Sequence, residues 1–198
     1  MKNNLRQLTY YSLILLLWSC KPTVNTPPAE SDAVLHETTA TEMIDRGKYL
    51  VTIGLCNDCH SPKVFTENGP EPDSDRLLSG HPSDLPIEGF DQSLVTGGWV
   101  LMNEHFTAFA GPWGVSFSGN LTPDPSGIGS WNEENFRTAL RQGKFKGLAH
   151  NRDLLPPMPW TNYRELNDQD ISAIFAYLKS LKPVKNVVPA PRTFASTG

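Results

Sequence analysis

The sequence predicts an all-α domain with accessory segments at both ends, and three observations favour that fold class. The chain has 198 residues, a length that suits one domain. Three stretches, at about 41–56, 131–142 and 168–182, carry apolar residues at helical spacing. The interval between the first two stretches has no sustained helical or strand period and is rich in glycine and proline.

The first predicted helix, "TEMIDRGKYLVTIGLC", covers about 41–56. Its apolar residues supply a surface that another element can bury. Gly47 lies near the middle and leaves room for close approach of a second helix or loop. The apolar positions are Met43, Ile44, Tyr49, Leu50, Val51, Ile53 and Leu55.

The second predicted helix covers about 131–142. Ser130 and Glu133 are placed to form a capping box at its start. Gly143 follows the last periodic residue and is a typical helix stop. The predicted buried stripe consists of Phe136, Ala139 and Leu140.

The third predicted helix covers about 168–182 and has the clearest pattern. Asn167 is placed to cap it, with Asp170 in the first turn. Pro183 ends it, because proline cannot continue a helix. Its apolar residues recur at helical spacing: Ile171, Ile174, Phe175, Leu178 and Leu181.

The long segment between the first and second helices, about 61–129, has no period of its own. An irregular segment of this length in a small domain needs a reason, such as wrapping a large ligand. Within it, 94–101 and 113–118 are candidates for short strands or β-turn arms.

The N-terminus has a different composition from the rest. Lys2 and Arg6 precede an apolar run, the layout of a secretory signal peptide at 1–19. The stretch "LWSC" resembles a bacterial lipoprotein cleavage site, which predicts a lipid attached to Cys20. A signal peptide cut nearby and an uncleaved anchor are the alternatives. Residues 20–40 lack periodicity and predict a lipid-anchored flexible tether.

Composition argues against a nucleic-acid partner. The formal net charge is −4 and the isoelectric point is about 5.7. No basic stripe or Lys/Arg block is present in the sequence, so the electrostatic attraction that nucleic-acid binding needs is missing.

The motif "CNDCH" combines Cys56, Cys59 and His60 and has four candidate explanations. A zinc site needs about four ligands, and no second cysteine pair exists once Cys20 is assigned to the membrane. A thioredoxin-like dithiol favours a preceding strand, whereas a helix is predicted here. A plain disulfide would leave His60 without a role.

Covalent haem c explains all three residues together. The two thiols form thioether bonds to the haem vinyl groups, and the adjacent histidine binds the iron through an imidazole nitrogen. One short helical turn brings both sulfurs to one edge of the ring. Export agrees with this explanation, because haem c attachment in bacteria occurs outside the cytoplasm.

The second axial ligand of the iron is predicted to be Met158. It lies in "LLPPMPW", where three prolines stiffen the backbone and present a flexible thioether at a defined place. Met43 has a packing role on the first helix, and Met102 is an alternative ligand in the irregular segment. A histidine, a lysine or no ligand are the other options.

The motifs "GKYLV…CNDCHSP", "NLTPDPSGIGSW", "ALRQGK" and "LLPPMPW…DQDISAIFAYLKSL" resemble the single-haem, class-I-like cytochrome c family. The likeness covers about 44–183 and extends to the haem domains of dehydrogenase cytochrome subunits. It implies the cytochrome c fold, with the first and last helices crossing near Gly47 and Tyr177–Leu178. The Gly/Pro-rich segment would then be an insertion around the haem.

The resemblance also implies the residues of the site. Cys56, Cys59 and His60 supply the thioethers and the proximal ligand, and Met158 supplies the distal ligand. Asn120 and Thr122 are expected to bond near the haem propionates, with turn formation as the alternative. Trp160 is expected to form part of the haem wall, together with Trp113, Phe117 and Trp131, and core packing is the alternative for each.

The predicted function is electron transfer rather than enzymatic catalysis. His/Met coordination fills both axial positions, so a single-haem carrier is expected on the periplasmic face of a membrane. Its partners would be a dehydrogenase or quinol-oxidising complex and an acceptor such as a terminal oxidase. A peroxidase-like enzyme or a gas-binding haem module is the alternative if Met158 does not ligate. The predicted domain covers 41–183, and 184–198 form an extended tail.

Overall fold

The computed structural model describes residues 39–87 and 89–194 of the chain. Six helices, five strands and two 3-10 turns are present in these residues. The elements in chain order are α1 Ala40–Ile53, α2 Cys56–His60, β1 Lys63–Thr66, β2 Gly69–Pro72, the 3-10 turn Ser74–Arg76, α3 Gln92–Thr96, β3 Leu101–Met102, β4 Ala108–Gly111, β5 Gly114–Phe117, α4 Glu133–Gln142, the 3-10 turn Phe145–Gly147, α5 Trp160–Tyr163 and α6 Asp168–Ser180.

Helices α1 and α6 pack against each other and form the centre of the domain. Their closest approach is at Gly47, where a Cβ atom would overlap the backbone of Ala173 and lie 2.7 Å from Cβ of Tyr177. Helix α6 therefore occupies the space that the sequence predicted beside Gly47. The fully buried side chains at this interface include Val51, Ile171 and Leu178.

The prediction of an all-α fold is wrong for the segment between α2 and α4. Strands β1 and β2 form an antiparallel hairpin, and β3, β4 and β5 form a separate three-stranded antiparallel sheet. These strands have two to four residues each, which is too short for an alternating pattern to stand out. The predicted strand at 113–118 corresponds to β5, whereas 94–101 divides between the end of α3 and the start of β3.

The inserted segment has a small hydrophobic core of its own. Val95, Ala110 and Val115 are buried together, and the partly buried Phe90, Leu101, Phe117 and Phe194 pack around them. The C-terminal segment contributes to this core, because the backbone of Arg192 pairs with Val115 through hydrogen bonds of 2.7 and 2.9 Å. The insertion is thus packed against the described part of the tail, up to Phe194.

Two helix boundaries differ from the sequence prediction. Helix α1 ends at Ile53, and Gly54 and Leu55 separate it from α2, so 41–56 is not one continuous helix. Helix α4 is capped by Asn132 and Asn135 rather than by Ser130 and Glu133, because it begins two residues later than predicted. The predicted cap of α6 by Asn167 is present, with a 2.8 Å bond from the N–H of Asp170.

The predicted signal peptide at 1–19 and most of the predicted tether at 20–40 lie outside the described residues. The last two tether positions belong to α1, since Thr39 is its N-cap and Ala40 its first residue. Among the described helices, none combines the length and the apolar character that crossing a membrane requires.

Candidate functional site

The CNDCH segment folds as a single turn of helix, α2, that follows directly on α1. Leu55 takes a left-handed backbone conformation, φ 57°, and this residue redirects the chain between the two helices. In a helix, residues three apart lie on the same face, so Cys56 and Cys59 project in one direction. Both thiols are half-buried and are not joined to each other.

His60 is held by the backbone of a segment far along the chain. Its side chain is 9% exposed, and Nδ1 lies 2.7 Å from the carbonyl oxygen of Gly119. Because a carbonyl only accepts, Nδ1 carries the proton and Nε2 keeps its lone pair. Nε2 makes no hydrogen bond to any described residue. Burial lowers the pKa of His60, so the imidazole is neutral and suited to binding a metal through Nε2.

The thiol chemistry of the motif differs from that of a reactive dithiol. Burial raises the pKa of Cys56 to about 11 and also raises the pKa of Cys59. Redox-active CXXC pairs instead depend on a lowered thiol pKa. Zinc is also disfavoured, because the described residues contain no group of three or more His, Cys, Asp or Glu side chains placed to hold a metal ion.

Lys63 closes the C-terminal end of α2 and was not identified from the sequence. Its side chain is buried, and Nζ donates to the carbonyl oxygens of Asn57, Asp58 and Ser61 at 3.3, 2.7 and 2.7 Å. A cation at a helix C-terminus satisfies carbonyls that have no partner within the helix. Lys63 therefore fixes the end of the turn that carries Cys59 and His60.

Met158 lies in the loop before α5 and is half-buried against the main core. Cys56 contacts the same core cluster, so both residues border one group of buried side chains. A second link joins the two segments, because the hydroxyl of Tyr163 donates to the carbonyl oxygen of Gly54 at 2.5 Å. Helix α5, which directly follows the loop of Met158, is thus bonded to the residue two positions before Cys56.

The inserted sheet reaches the loop of Met158 through one side chain. Ser116, on β5, donates from Oγ to the carbonyl oxygen of Pro156 at 2.6 Å. The same hydroxyl accepts a 3.1 Å hydrogen bond from Nε1 of Trp113. Trp113 therefore supports this contact, which was not among the roles predicted for it.

Asn120 and Thr122 are buried and bond within the protein. Asn120 donates from Nδ2 to the carbonyl oxygens of Val184 and Asn186, and its Oδ1 accepts from the N–H and the hydroxyl of Thr122. Thr122 Oγ1 accepts in turn from the N–H of Val184. These contacts match the turn-forming alternative, and they join the turn to the C-terminal tail. The predicted propionate contact stays a prediction.

Trp160 is the first residue of α5 and packs against the end of α4. A Cβ atom at Gly143 would lie 2.5 Å from Cδ2 of the indole, so a glycine is required for this contact. The guanidinium of Arg164 lies 5.2 Å from the centroid of the Trp160 ring. Trp160 stays a predicted wall residue next to the loop of Met158.

Several other side chains bond within the protein or face solvent. Arg137 pairs with Glu133 and Asp168, and Arg141 pairs with Asp168, so both arginines bond to protein carboxylates. Met102 is 60% exposed on the short strand β3. His81 is fully buried and His105 is partly exposed, and both lie in loops outside the helices and strands.

The donor set of the site fits haem c. Two thiols lie one helical turn apart, the next residue offers a neutral imidazole whose Nε2 bonds to no described residue, and a thioether lies in the loop before α5. Cys56 and Cys59 would hold the group covalently, and His60 and Met158 would be its axial ligands.

Comparison with known proteins gives the family. The profile of the family described as "Cytochrome c" matches residues 44–182, which is more than half of the chain. The chain is 31% identical over 149 residues to a subunit of nicotinate dehydrogenase from Pseudomonas putida, covering 75% of this chain and 9% of that protein. It is 30% identical over 152 residues to the fructose dehydrogenase cytochrome subunit of Gluconobacter japonicus, covering 76% and 23%.

A third relative, the alcohol dehydrogenase (quinone) cytochrome c subunit of Gluconobacter oxydans, is 30% identical over 166 residues, covering 82% of this chain and 27% of that protein. The chain thus spans about a quarter or less of the length of these three relatives. The haem-binding motif, the unbonded imidazole nitrogen of His60 and the match over residues 44–182 agree with one another. The chain belongs to the cytochrome c family.

Proposed function

We propose that this protein is a single-haem c-type cytochrome that carries one electron at a time on the periplasmic side of a bacterial membrane. The observation that carries the proposal is the geometry of α2, where the two thiols and the neutral imidazole of His60 lie within one helical turn. The chain contains one CXXCH motif, which supports one haem per chain.

The bound haem supplies a one-electron iron couple. His60 would bind the iron through Nε2, since the Gly119 carbonyl fixes the orientation and tautomer of the ring. Met158 would contribute a soft thioether, which would favour the reduced metal relative to a second imidazole. If His60 and Met158 both held the iron, no site would be left for a substrate, and this coordination would favour electron transfer over peroxide chemistry or gas binding.

The relatives support the kind of partner. They are named as subunits of nicotinate, fructose and quinone-dependent alcohol dehydrogenases. We therefore place the protein between a dehydrogenase or quinol-oxidising complex and an acceptor such as a terminal oxidase. Docking would be weak and fast, as in other redox encounters, so that the carrier is released after each electron.

Membrane attachment is the second part of the proposal. Its support is the sequence of the N-terminus, where a short apolar run ends in "LWSC" and is followed by a segment rich in Pro, Thr and Ala. Cys20 would carry the lipid, and residues 21–38 would separate the domain from the bilayer. Replacing Cys20→Ser should release the protein to the soluble fraction, and continued lipid labelling of that variant would contradict the lipoprotein assignment.

The function is tested with the purified holoprotein. Its intact mass should exceed the mass of the processed chain by one haem, and its oxidised form should be reduced by a quinol-linked dehydrogenase without consuming peroxide. A mass corresponding to two haems would contradict the single-haem assignment. Rapid peroxide turnover by a high-spin ferric protein would instead favour the peroxidase-like enzyme.

A further inference from the structure

The loop that presents Met158 has little capacity to hold itself in place. Three of its four residues 156–159 are prolines, which have no backbone N–H group. The loop therefore lacks three of the backbone donors with which a loop usually holds itself in place. The carbonyl of Pro156, two residues before Met158, finds its partner in the inserted sheet.

That partner is the hydroxyl of Ser116, and its own position is fixed. Ser116 lies on β5, opposite Phe109 of β4, and is 6% exposed. Its Oγ lies 2.6 Å from the oxygen of Pro156 and accepts from Nε1 of Trp113 at 3.1 Å. With the indole donating to it, the hydroxyl is oriented to donate its only proton to Pro156.

We propose that Ser116 is a positioning residue that keeps Met158 on the iron, and that the insertion acts as a brace for the axial-ligand loop. This inference rests on the proposed function, because it requires Met158 to be the distal ligand. A loop held close to the metal gives its thioether a high effective concentration there. Loosening the loop lowers that concentration and lets an external ligand compete.

The test uses ferric holoprotein and added imidazole, which competes for the distal position. Ser116→Ala removes the bond to Pro156 but leaves the strand pairing, which uses backbone atoms. We expect the apparent affinity for imidazole to rise about threefold to tenfold, the range that corresponds to a hydrogen bond of ordinary net strength. The absorption spectrum without imidazole should still show the thioether-bound form.

Ser118→Ala is the matched control. Ser118 is also a buried serine, two residues along the chain, and its hydroxyl makes no hydrogen bond to a described residue. The affinity of the Ser118→Ala protein for imidazole should equal that of the unmodified protein. If Ser116→Ala fails to fold, Trp113→Phe serves instead, because it keeps an aromatic ring and removes the donor that orients the hydroxyl, together with part of the indole's packing against Gly111. The affinity of the Trp113→Phe protein for imidazole should also rise.

The outcomes separate this inference from the function on which it rests. Equal imidazole affinities for Ser116→Ala and Ser118→Ala would overturn the positioning role, whatever binds the iron. A Met158→Ala variant is measured beside them. If its ferric spectrum matches that of the unmodified protein, the ligand assignment fails, and the brace fails with it. If its spectrum changes while Ser116→Ala behaves like the control, only the brace is rejected.

Discussion

The imidazole Nδ1 of His60 lies 2.7 Å from the carbonyl oxygen of Gly119, a residue 59 positions further along the chain. This contact decides which ring nitrogen is left for a metal. The carbonyl of His60 is also used, since the N–H of Gly80 donates to it at 2.7 Å. Gly80 and Gly119 contact each other. Two segments that touch therefore hold His60, one through its ring and the other through its backbone carbonyl.

Gly80→Ala tests this arrangement. Gly80 has φ 80°, and a Cβ atom there would lie 2.6 Å from the carbonyl carbon of Gly119. Both the strained backbone and the overlap push Gly119 away from His60. We expect a loss of about 2 to 4 kcal/mol in the free energy of unfolding and a lower yield of haem-loaded protein.

Denaturant titration of the holoprotein measures that loss. Gly89→Ala is the control, because a Cβ atom there meets no atom within 4 Å and the change should leave stability nearly unaltered. Equal stabilities for the two variants would show that the contact between Gly80 and Gly119 does not support the ligand.

Gly47→Ala tests the pairing of the first and last helices. The added methyl group would overlap the carbonyl of Ala173 and lie 2.7 Å from Cβ of Tyr177, both on α6. Since backbone cannot rotate away as a flexible side chain can, the helices must separate. We expect destabilisation of about 3 kcal/mol even though alanine is the better helix former. A thermal or urea midpoint unchanged from the parent protein would contradict this.

A pH-dependent loss of stability is expected from His81. Burial lowers the pKa of His81, with His105 and Arg192 acting in the same direction and the Leu85 carbonyl and Asp84 opposing them. The unfolded chain therefore takes up a proton at a higher pH than the folded one. The contribution of neutral His81 to stability is complete above about pH 6.5 and declines as the pH falls from there through the folded pKa.

The comparison of variants isolates this effect. The free energy of unfolding of the holoprotein should fall between about pH 7 and pH 5, and His81→Gln should reduce that fall. His150→Gln is the control, because it removes a histidine whose side chain is exposed. An equal fall in all three proteins would assign the acid sensitivity to other groups.

The parts of the structure that were predicted correctly depend on local patterns. Helix α6 was found because its apolar residues repeat over three turns and its cap at Asn167 lies next to them. The CXXCH motif was recognised for a similar reason, because covalent attachment of haem c demands a fixed spacing of Cys56, Cys59 and His60. The roles assigned to these three residues stay predictions. Such signals are contained within a few consecutive residues.

The parts that were missed depend on contacts between distant segments. Gly119 reaches His60 across 59 positions and Ser116 reaches Pro156 across 40. The burial of His81 likewise follows from packing of the insertion, where its ring lies 4.9 Å from that of Phe117. The strands of the insertion are stabilised by pairing with one another and by a small shared core rather than by their own sequence. Their sequences therefore show no alternation of apolar and polar residues that would predict them.

The most direct test of coordination by His60 and Met158 is the ferric absorption spectrum of the holoprotein and of its Met158→Ala variant. This coordination predicts a low-spin spectrum with a sulfur-to-iron charge-transfer band for the unmodified protein. It also predicts that Met158→Ala loses that band, lowers the reduction potential and opens the iron to external ligands. An identical spectrum for the two proteins would contradict the His60/Met158 coordination and transfer the distal position to another residue, such as Met102 or a histidine.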